Sequence, residues 1–524
     1  MAPDRGPSEK PAGKSDRPTL VLAGWVTLFL LLTLVGAWRV LPTPFSGPHS
    51  GVSAHFCVMA RTFAHDGLAA RGFVPLQNNP PYGRELDLST HWPPLFTILL
   101  SLLFQVFGAT ELTARGFMLL ILLGNATLIF LLLRRVDGTP AGLLGVLAFL
   151  AQPIVMMFGL LVIHLHLAIF FTLAAGYCLL NVERDGRRWG FAAVGLAYLA
   201  VWTSWEPLLF FFCLWLAGWW FQGKSLRRWG LACCAAALLA IASVFALYFV
   251  QYPDRFLELT HVVRFRLGLQ SNYAPGWADT QPATAAVLFR YWKYLLLLEP
   301  LSLLALGTLI VLGLRARRAL EGNPTAILLG GWFGLWAVWF GLLRGHGYFH
   351  EYQLIIALPV LSLGAGLVFA ALMRLARTRF AGETVGVVVP LVVALVVPFL
   401  LSRELAVDTV VKLRVPEAVD PLVTHGRHIR AATPADAVVL SPYGNMLVAF
   451  YAQRHQIRDV KDDDALDRVL ERADALFAST APVYLALLPS DLPKFSRALS
   501  RYTVAAMDHE LLLLAVRDRP PPAI

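Results

Sequence analysis

Between positions 49 and 91 the chain carries His49, His55, Arg61, His65, Asp66, Glu85, Asp87 and His91. Imidazole titrates near neutrality and can take a proton from an attacking hydroxyl or amine. Carboxylates can share that work, and a guanidinium offers a fixed fork of donors to an anion. A second group lies far along the chain: Arg344, His346, His350, Glu351 and Tyr352. A third holds Arg264-Phe265-Arg266, with Arg290 and Lys293 nearby. Between them stand His164-Leu165-His166 and Trp205-Glu206-Pro207. Each group also has a plainer reading, as solvated charge at a surface. The pair His164/His166 is separated by about 200° on a helix, which makes it a poor metal pair. No haem or zinc spacing is present, and no metal is expected.

The elements that must position these groups are mostly apolar. Hydrophobic residues make up 57% of the 524 and charged residues 15%, against roughly 25% charged in a soluble domain. The apolar excess comes in blocks of about 20 residues, the length that crosses a core of ~30 Å. Spans are expected over 19–40, 112–133, 141–159, 164–182, 189–204, 206–222, 229–251, 294–314, 325–343, 353–373 and 384–402, about eleven in all. The stretch 1–18 is polar and reads as a disordered cytoplasmic N-terminus, with 19–40 as an uncleaved anchor. Net charge is +10, but the basic residues sit in pairs and triplets between apolar blocks. That pattern fits cytoplasmic loops and needs no nucleic acid. Four of the five cysteines fall inside expected spans and no disulfide framework can be read.

One shorter apolar run, 93–107, sets the topology. If it does not cross, Arg134/Arg135, Arg184/Arg187/Arg188, Lys224/Arg227/Arg228, Arg315/Arg317/Arg318 and Arg374/Arg377/Arg379 all face one side, as the positive-inside rule requires. If it crosses, all five clusters oppose the N-terminal anchor. It is therefore read as a helix lying on the outer face. The first outer loop is then 41–111, with an amphipathic helix over 52–68 whose Val52, Phe56, Met59 and Phe63 share one face. The segment 19–402 forms the membrane domain. The segment 403–524 forms an extracytoplasmic α/β domain, with strands at 437–440, 483–488 and 511–516 and helices at 444–453 and 464–477. The expected location is a bacterial-type plasma (inner) membrane, N-terminus inside and C-terminal domain outside.

This layout resembles the GT-C fold lipid-linked glycosyltransferases, in particular glycosyltransferase family 39, the protein mannosyltransferases and aminoarabinose transferases. The residues that carry the resemblance are Ala60-Arg61 followed by His65-Asp66-Gly67, then His91-Trp92-Pro93-Pro94-Leu95, Phe107-Gly108 and Arg115. His350-Glu351-Tyr352 with Leu358-Pro359 looks like the family's late outer motif. Trp92 is an insertion into that pattern. The family's acid between the first span and the Ala-Arg pair is missing: the region reads Gly47-Pro48-His49-Ser50-Gly51-Val52-Ser53-Ala54-His55.

The resemblance implies a polyprenyl-phosphate sugar as donor, no cofactor, and transfer with inversion to a glycan, lipid or protein acceptor on the outer face. His49, then His55, stands where the acid is missing, with Glu85 and Asp87 next and His91 opening the motif helix. Asp66 is read as solvating the end of the first outer helix. Phosphate or sugar contacts are expected from Arg61, Arg264, Arg266, Arg344, His346, His350, Glu351, Tyr352, His166 and Glu206. Two other readings remain: a non-catalytic scaffold of the same fold, favoured by the missing acid, and a lipid or glycan transporter, disfavoured because no internal repeat is visible.

Overall fold

The computed structural model describes residues 17–47, 49–79, 88–253, 264, 269, 284–298, 322–342, 350–379, 420–442, 445–458, 460–471, 481–507 and 510–517. Among the candidate residues, Glu85, Asp87, Arg266, Arg344 and His346 lie outside these, as do the expected span 384–402 and most of 294–314.

The membrane part is built from α1 (Arg17–Val40), α2 (Ser50–Asp66), α3 (Leu95–Phe107), α4 (Glu111–Leu150), α5 (Pro153–Phe158), α6 (His164–Asp185), α7 (Arg187–Thr203), α8 (Pro207–Trp220), α9 (Lys224–Gln251), α10 (Thr284–Leu298), α11 (Pro324–Leu342) and α12 (Leu358–Arg379). A 3-10 segment, Glu351–Ala357, leads into α12. Six helices among the described residues are long and apolar enough to cross a bilayer: α1, α4, α6, α9, α11 and α12. Together they make this an integral membrane protein. Helix α3, at 13 residues, is too short to cross. Helix α8 is also shorter than its expected span, at 14 residues, and Gln222, two residues past its end, turns left-handed (φ 55°).

The 40 residues of α4 contain a reversal. Asp137 and Gly138 leave helical geometry, and Gly138 takes φ 85°, which glycine adopts without strain. A side chain at Gly142 would meet the carbonyl oxygen of Phe130 at 2.9 Å. Residues 12 apart on one straight helix would lie about 18 Å apart. The element is therefore a hairpin of two antiparallel helices, matching the separate spans expected over 112–133 and 141–159. A side chain at Gly366 of α12 would lie 3.0 Å from the Gly145 backbone. Small residues here let the backbones approach, the usual way helices associate in lipid.

The C-terminal region holds α13 (Pro421–Ala432), β1 (Val438–Leu440), α14 (Met446–Ala452), β2 (His455–Ile457), α15 (Asp463–Glu471), β3 (Val483–Leu487), α16 (Ser496–Arg501), β4 (Thr503–Met507) and β5 (Leu512–Arg517). The five strands form one sheet in the order β2-β1-β3-β5-β4. Pairing is parallel at β2/β1 and β1/β3, antiparallel at β3/β5 and β5/β4. Strands β2 and β4 escape the sequence reading. Strand β2 is only three residues long, and β4 is an edge whose residues are mostly exposed, so neither shows an apolar run.

Helix α2 departs from the surface-lying helix expected over 52–68. Ser50, Ser53, Ala54, Phe56, Cys57, Val58, Met59, Ala60, Thr62 and Phe63 are all buried, which takes in more than one face. It packs on α3 and on α14. Phe450 and Tyr451 of α14 belong to the same apolar cluster as Phe56 and Met59. An apolar stripe predicts one covered face; the second is covered by a helix some 390 positions away, which periodicity cannot reveal.

Candidate active site

His49 immediately precedes α2 and holds a left-handed conformation, φ 59° and ψ 21°. A non-glycine residue there is uncommon and is strained by about 1 kcal/mol or more. Its ring lies 4.8 Å from Tyr352, 6.0 Å from His350 and 5.9 Å from Phe158, centroid to centroid. His350 and Tyr352 are themselves 5.2 Å apart. Residues 300 positions apart in the chain thus meet at one point: the loop before α2, the end of α5 and the 3-10 segment before α12. Glu351 belongs to that segment.

A second group lies further along α2. His55 is six residues on, about 9 Å along the axis. Burial pushes its imidazole down to about 3, with smaller contributions from His91 and Arg458. The His91-Trp92 turn is held by its backbone: the Trp205 indole donates to the His91 carbonyl at 2.9 Å and the Tyr248 hydroxyl to the Trp92 carbonyl at 2.6 Å. The Trp92 ring lies against His164 at 4.2 Å, and Phe56 sits 5.3 Å from the same imidazole. The extra tryptophan in the His-Pro-Pro pattern therefore fills space between α3 and α6. Glu206 is buried at the α7–α8 turn and accepts a hydrogen bond from the Ser204 hydroxyl. Val162 donates to the Ser53 hydroxyl at 3.0 Å, tying the turn before α6 to α2 between the two groups.

Several expected contact residues are engaged within the protein. His166 Nε2 lies 2.9 Å from the Phe158 carbonyl, holding the turn between α5 and α6. Arg61 donates to the Phe450 carbonyl (2.8 Å), the Ala449 carbonyl (3.2 Å) and Asn79 Oδ1 (2.7 Å), and stacks over the Phe450 ring at 5.0 Å. Its cation sits at the C-terminal end of α14, where helix carbonyls lack partners. Arg115 donates to the carbonyls of Val40, Thr43 and Pro44, fastening the chain that leaves α1. Asp66 pairs with Arg71 and His65, each at 2.7 Å, where solvation alone was expected. Arg264 is exposed. Among the described residues no three His, Cys, Asp or Glu side chains cluster as metal ligands would.

The sequence reading missed Asn78 and Asn79. The Asn78 amide donates to the Gln456 carbonyl at 2.7 Å, and its oxygen accepts from the Gln456 N–H at 2.9 Å. It thereby completes the open edge of β2 as a strand would. Asn79 Nδ2 donates to the carbonyls of Ala449 (2.8 Å) and Arg454 (3.1 Å). Tyr451 links three segments: its hydroxyl donates to Glu111 at 2.7 Å and accepts from the Phe45 N–H at 2.7 Å. A Pro/Asn-rich stretch reads as a turn, and nothing local marks it as a docking edge.

No family model and no curated protein matches the chain. Solved structures do. ArnT from Cupriavidus metallidurans bound to undecaprenyl phosphate matches at TM-score 0.65 and 15% identity, over 94% of this chain and 98% of that one. The Archaeoglobus fulgidus oligosaccharyltransferase in the apo form matches at TM-score 0.58 and 12% identity, over 91% of this chain and 70% of that one. AglB from the same organism, in complex with an inhibitory peptide and a dolichol-phosphate, matches at TM-score 0.56 and 12% identity over 88% and 69%. The chain shares the GT-C fold of these proteins, the fold that its first-loop motifs resemble.

Proposed function

We propose that the chain is a membrane glycosyltransferase that moves a sugar from a polyprenyl-phosphate donor to an acceptor on the outer face. The observation that carries this reading is the meeting of His49, His350 and Tyr352 beside α2, at the place in the fold where the missing acid would stand. Undecaprenyl phosphate in the similar ArnT structure supports the donor class. The topology proposed with it has about eleven spans over 19–402, the N-terminus in the cytoplasm and a domain at 403–524 outside.

In this mechanism the acceptor hydroxyl or amine attacks the anomeric carbon. The bond from that carbon to the phosphate oxygen breaks, and polyprenyl phosphate leaves with the electron pair. The acceptor proton passes to a base, assigned to His49. His55 is a weaker candidate, since an imidazole held near 3 accepts protons poorly at neutral pH. Phosphate charge is assigned to the exposed Arg264 and to Arg266 and Arg344, since Arg61 is engaged at α14. His346, His350, Glu351 and Tyr352 are assigned to the sugar or phosphate, and the buried Glu206 stands behind the His91 turn. Transfer itself is the test: membranes containing the protein are supplied with a panel of radiolabelled polyprenyl-phosphate sugars. Label appearing in an acceptor only when the chain is present supports the reading. No transfer from any donor would leave a non-catalytic scaffold, which the absent carboxylate and the close cover of α14 over α2 favour.

A further inference from the structure

A furrow of about 780 Å³ runs between α8 and α11, at the membrane end opposite the His49 group in the proposed topology. Its walls are apolar: Leu216, Trp219, Trp220 and Phe221 on one side and Phe333 on the other. It exists because the helices meet on small residues. Gly330 and Gly334, four apart, face Ala217 and Cys213, where added side chains would approach to 3.0 and 2.6 Å. Close backbone contact along that line leaves the bulky neighbours standing apart beside it. The volume falls within the range of about 300–1,000 Å³ of ligand pockets.

Basic residues follow the last residues of the furrow's α8 wall in the chain. Helix α9 begins one turn beyond Phe221, and Lys224 and Arg228 stand exposed on its first turns, four apart and so on one face. The Arg227 guanidinium lies 4.1 Å above the Trp219 ring, turned toward the furrow wall. The start of α11 is joined to the same corner by the Gly322 N–H donating to the Phe221 carbonyl at 2.5 Å. An aromatic, apolar trough with Arg227 on its Trp219 wall and exposed cations on the adjoining turn of α9 complements an anionic lipid: an acyl chain along the trough, a phosphate at its end.

From this complementarity we infer that the α8–α11 furrow is a binding site for an anionic diacyl phospholipid of the cytoplasmic leaflet. The lipid binds with one chain against Trp220 and Phe333 and its phosphodiester at Lys224 and Arg228. This site is separate from the donor site, and only its assignment to the cytoplasmic leaflet rests on the proposed topology.

The experiment is native mass spectrometry of the detergent-solubilised full chain, titrated with phosphatidylglycerol and with phosphatidylcholine of the same acyl chains. Phosphatidylglycerol is expected to bind wild type about 30-fold tighter than the Lys224→Gln/Arg228→Gln variant, at about 1 kcal/mol per basic residue. Leu216→Trp, which fills the trough from an exposed position, is expected to weaken binding as well. The melting temperature without added lipid checks that both variants are folded. Equal binding of the two lipids, or unchanged binding in the double variant, would overturn the inference. So would displacement of phosphatidylglycerol by equimolar undecaprenyl phosphate, or occupation of the face by a second copy of the chain.

Discussion

At the residue scale, His49 combines backbone strain with an assigned chemical role. A side chain held at φ 59° persists where surrounding contacts hold it there, and such positions cluster at functional sites. Glycine adopts this conformation freely. His49→Gly is therefore expected to match or exceed wild-type stability, by up to about 1 kcal/mol, while transfer falls. Chemical denaturation and the transfer assay on one preparation check both halves. A loss of stability together with activity would mean that the ring is structural. Histidines 49 and 55 were visible as candidates to stand in for the missing acid, because residue type and position are local to the sequence. The sequence ranked His49 before His55, but the surroundings that separate them depend on packing: His55 is desolvated beside His91 and Arg458, whereas His49 meets Tyr352 and His350.

At the element scale, the first outer loop is fastened to α14 and β2. Arg61 and Asn79 cap the carbonyl end of α14, and Asn78 completes the edge of β2. Asn78→Ala strands a buried carbonyl and N–H, and is expected to destabilise by about 1–3 kcal/mol. Arg61→Lys keeps the charge but loses the fork, and is expected to melt between wild type and Arg61→Ala. Thermal unfolding of the three variants checks this order. His455 adds a pH dependence. Burial holds its imidazole down at about 4, against a small upward pull from its 3.1 Å contact with the Asn79 carbonyl. Between about 4 and the ordinary value of 6.5 the unfolded chain binds a proton that the folded chain refuses. Stability is complete above 6.5 and falls as pH drops through this window, by at most about 1.4 kcal/mol per unit. His455→Gln is expected to lessen the fall in melting temperature between pH 7 and pH 5, with His55 contributing in the same window. An unchanged slope would remove His455 as its source.

At the scale of the whole molecule, the apolar blocks and their charges were legible, and the described helices follow most of them. Blocks of about 20 apolar residues report on the bilayer, which acts on each segment separately. The hairpin at Asp137-Gly138 was legible for the same reason, since arginines precede it and glycine permits it. The seating of α2 beneath α14 and the pairing of β2 with Asn78 were hidden, because both join segments hundreds of positions apart whose own patterns do not mark the partner. The proposed orientation can be tested by cysteine labelling. All five native cysteines are buried, so background is low. A cysteine placed at Arg187 is expected to react only with permeant reagents in intact cells, and one at Val504 with impermeant reagents as well. The reverse pattern would invert the topology and place the His49 group in the cytoplasm.

The central claim is that His49 receives the acceptor proton. The most direct measurement compares transfer rates of His49→Ala and His55→Ala with wild type, at equal amounts of folded protein and pH 7.5. The account predicts a loss of about 100-fold or more for His49→Ala, the usual contribution of a positioned base, and a loss under about tenfold for His55→Ala. Full activity in His49→Ala, or equal losses in both, would contradict it.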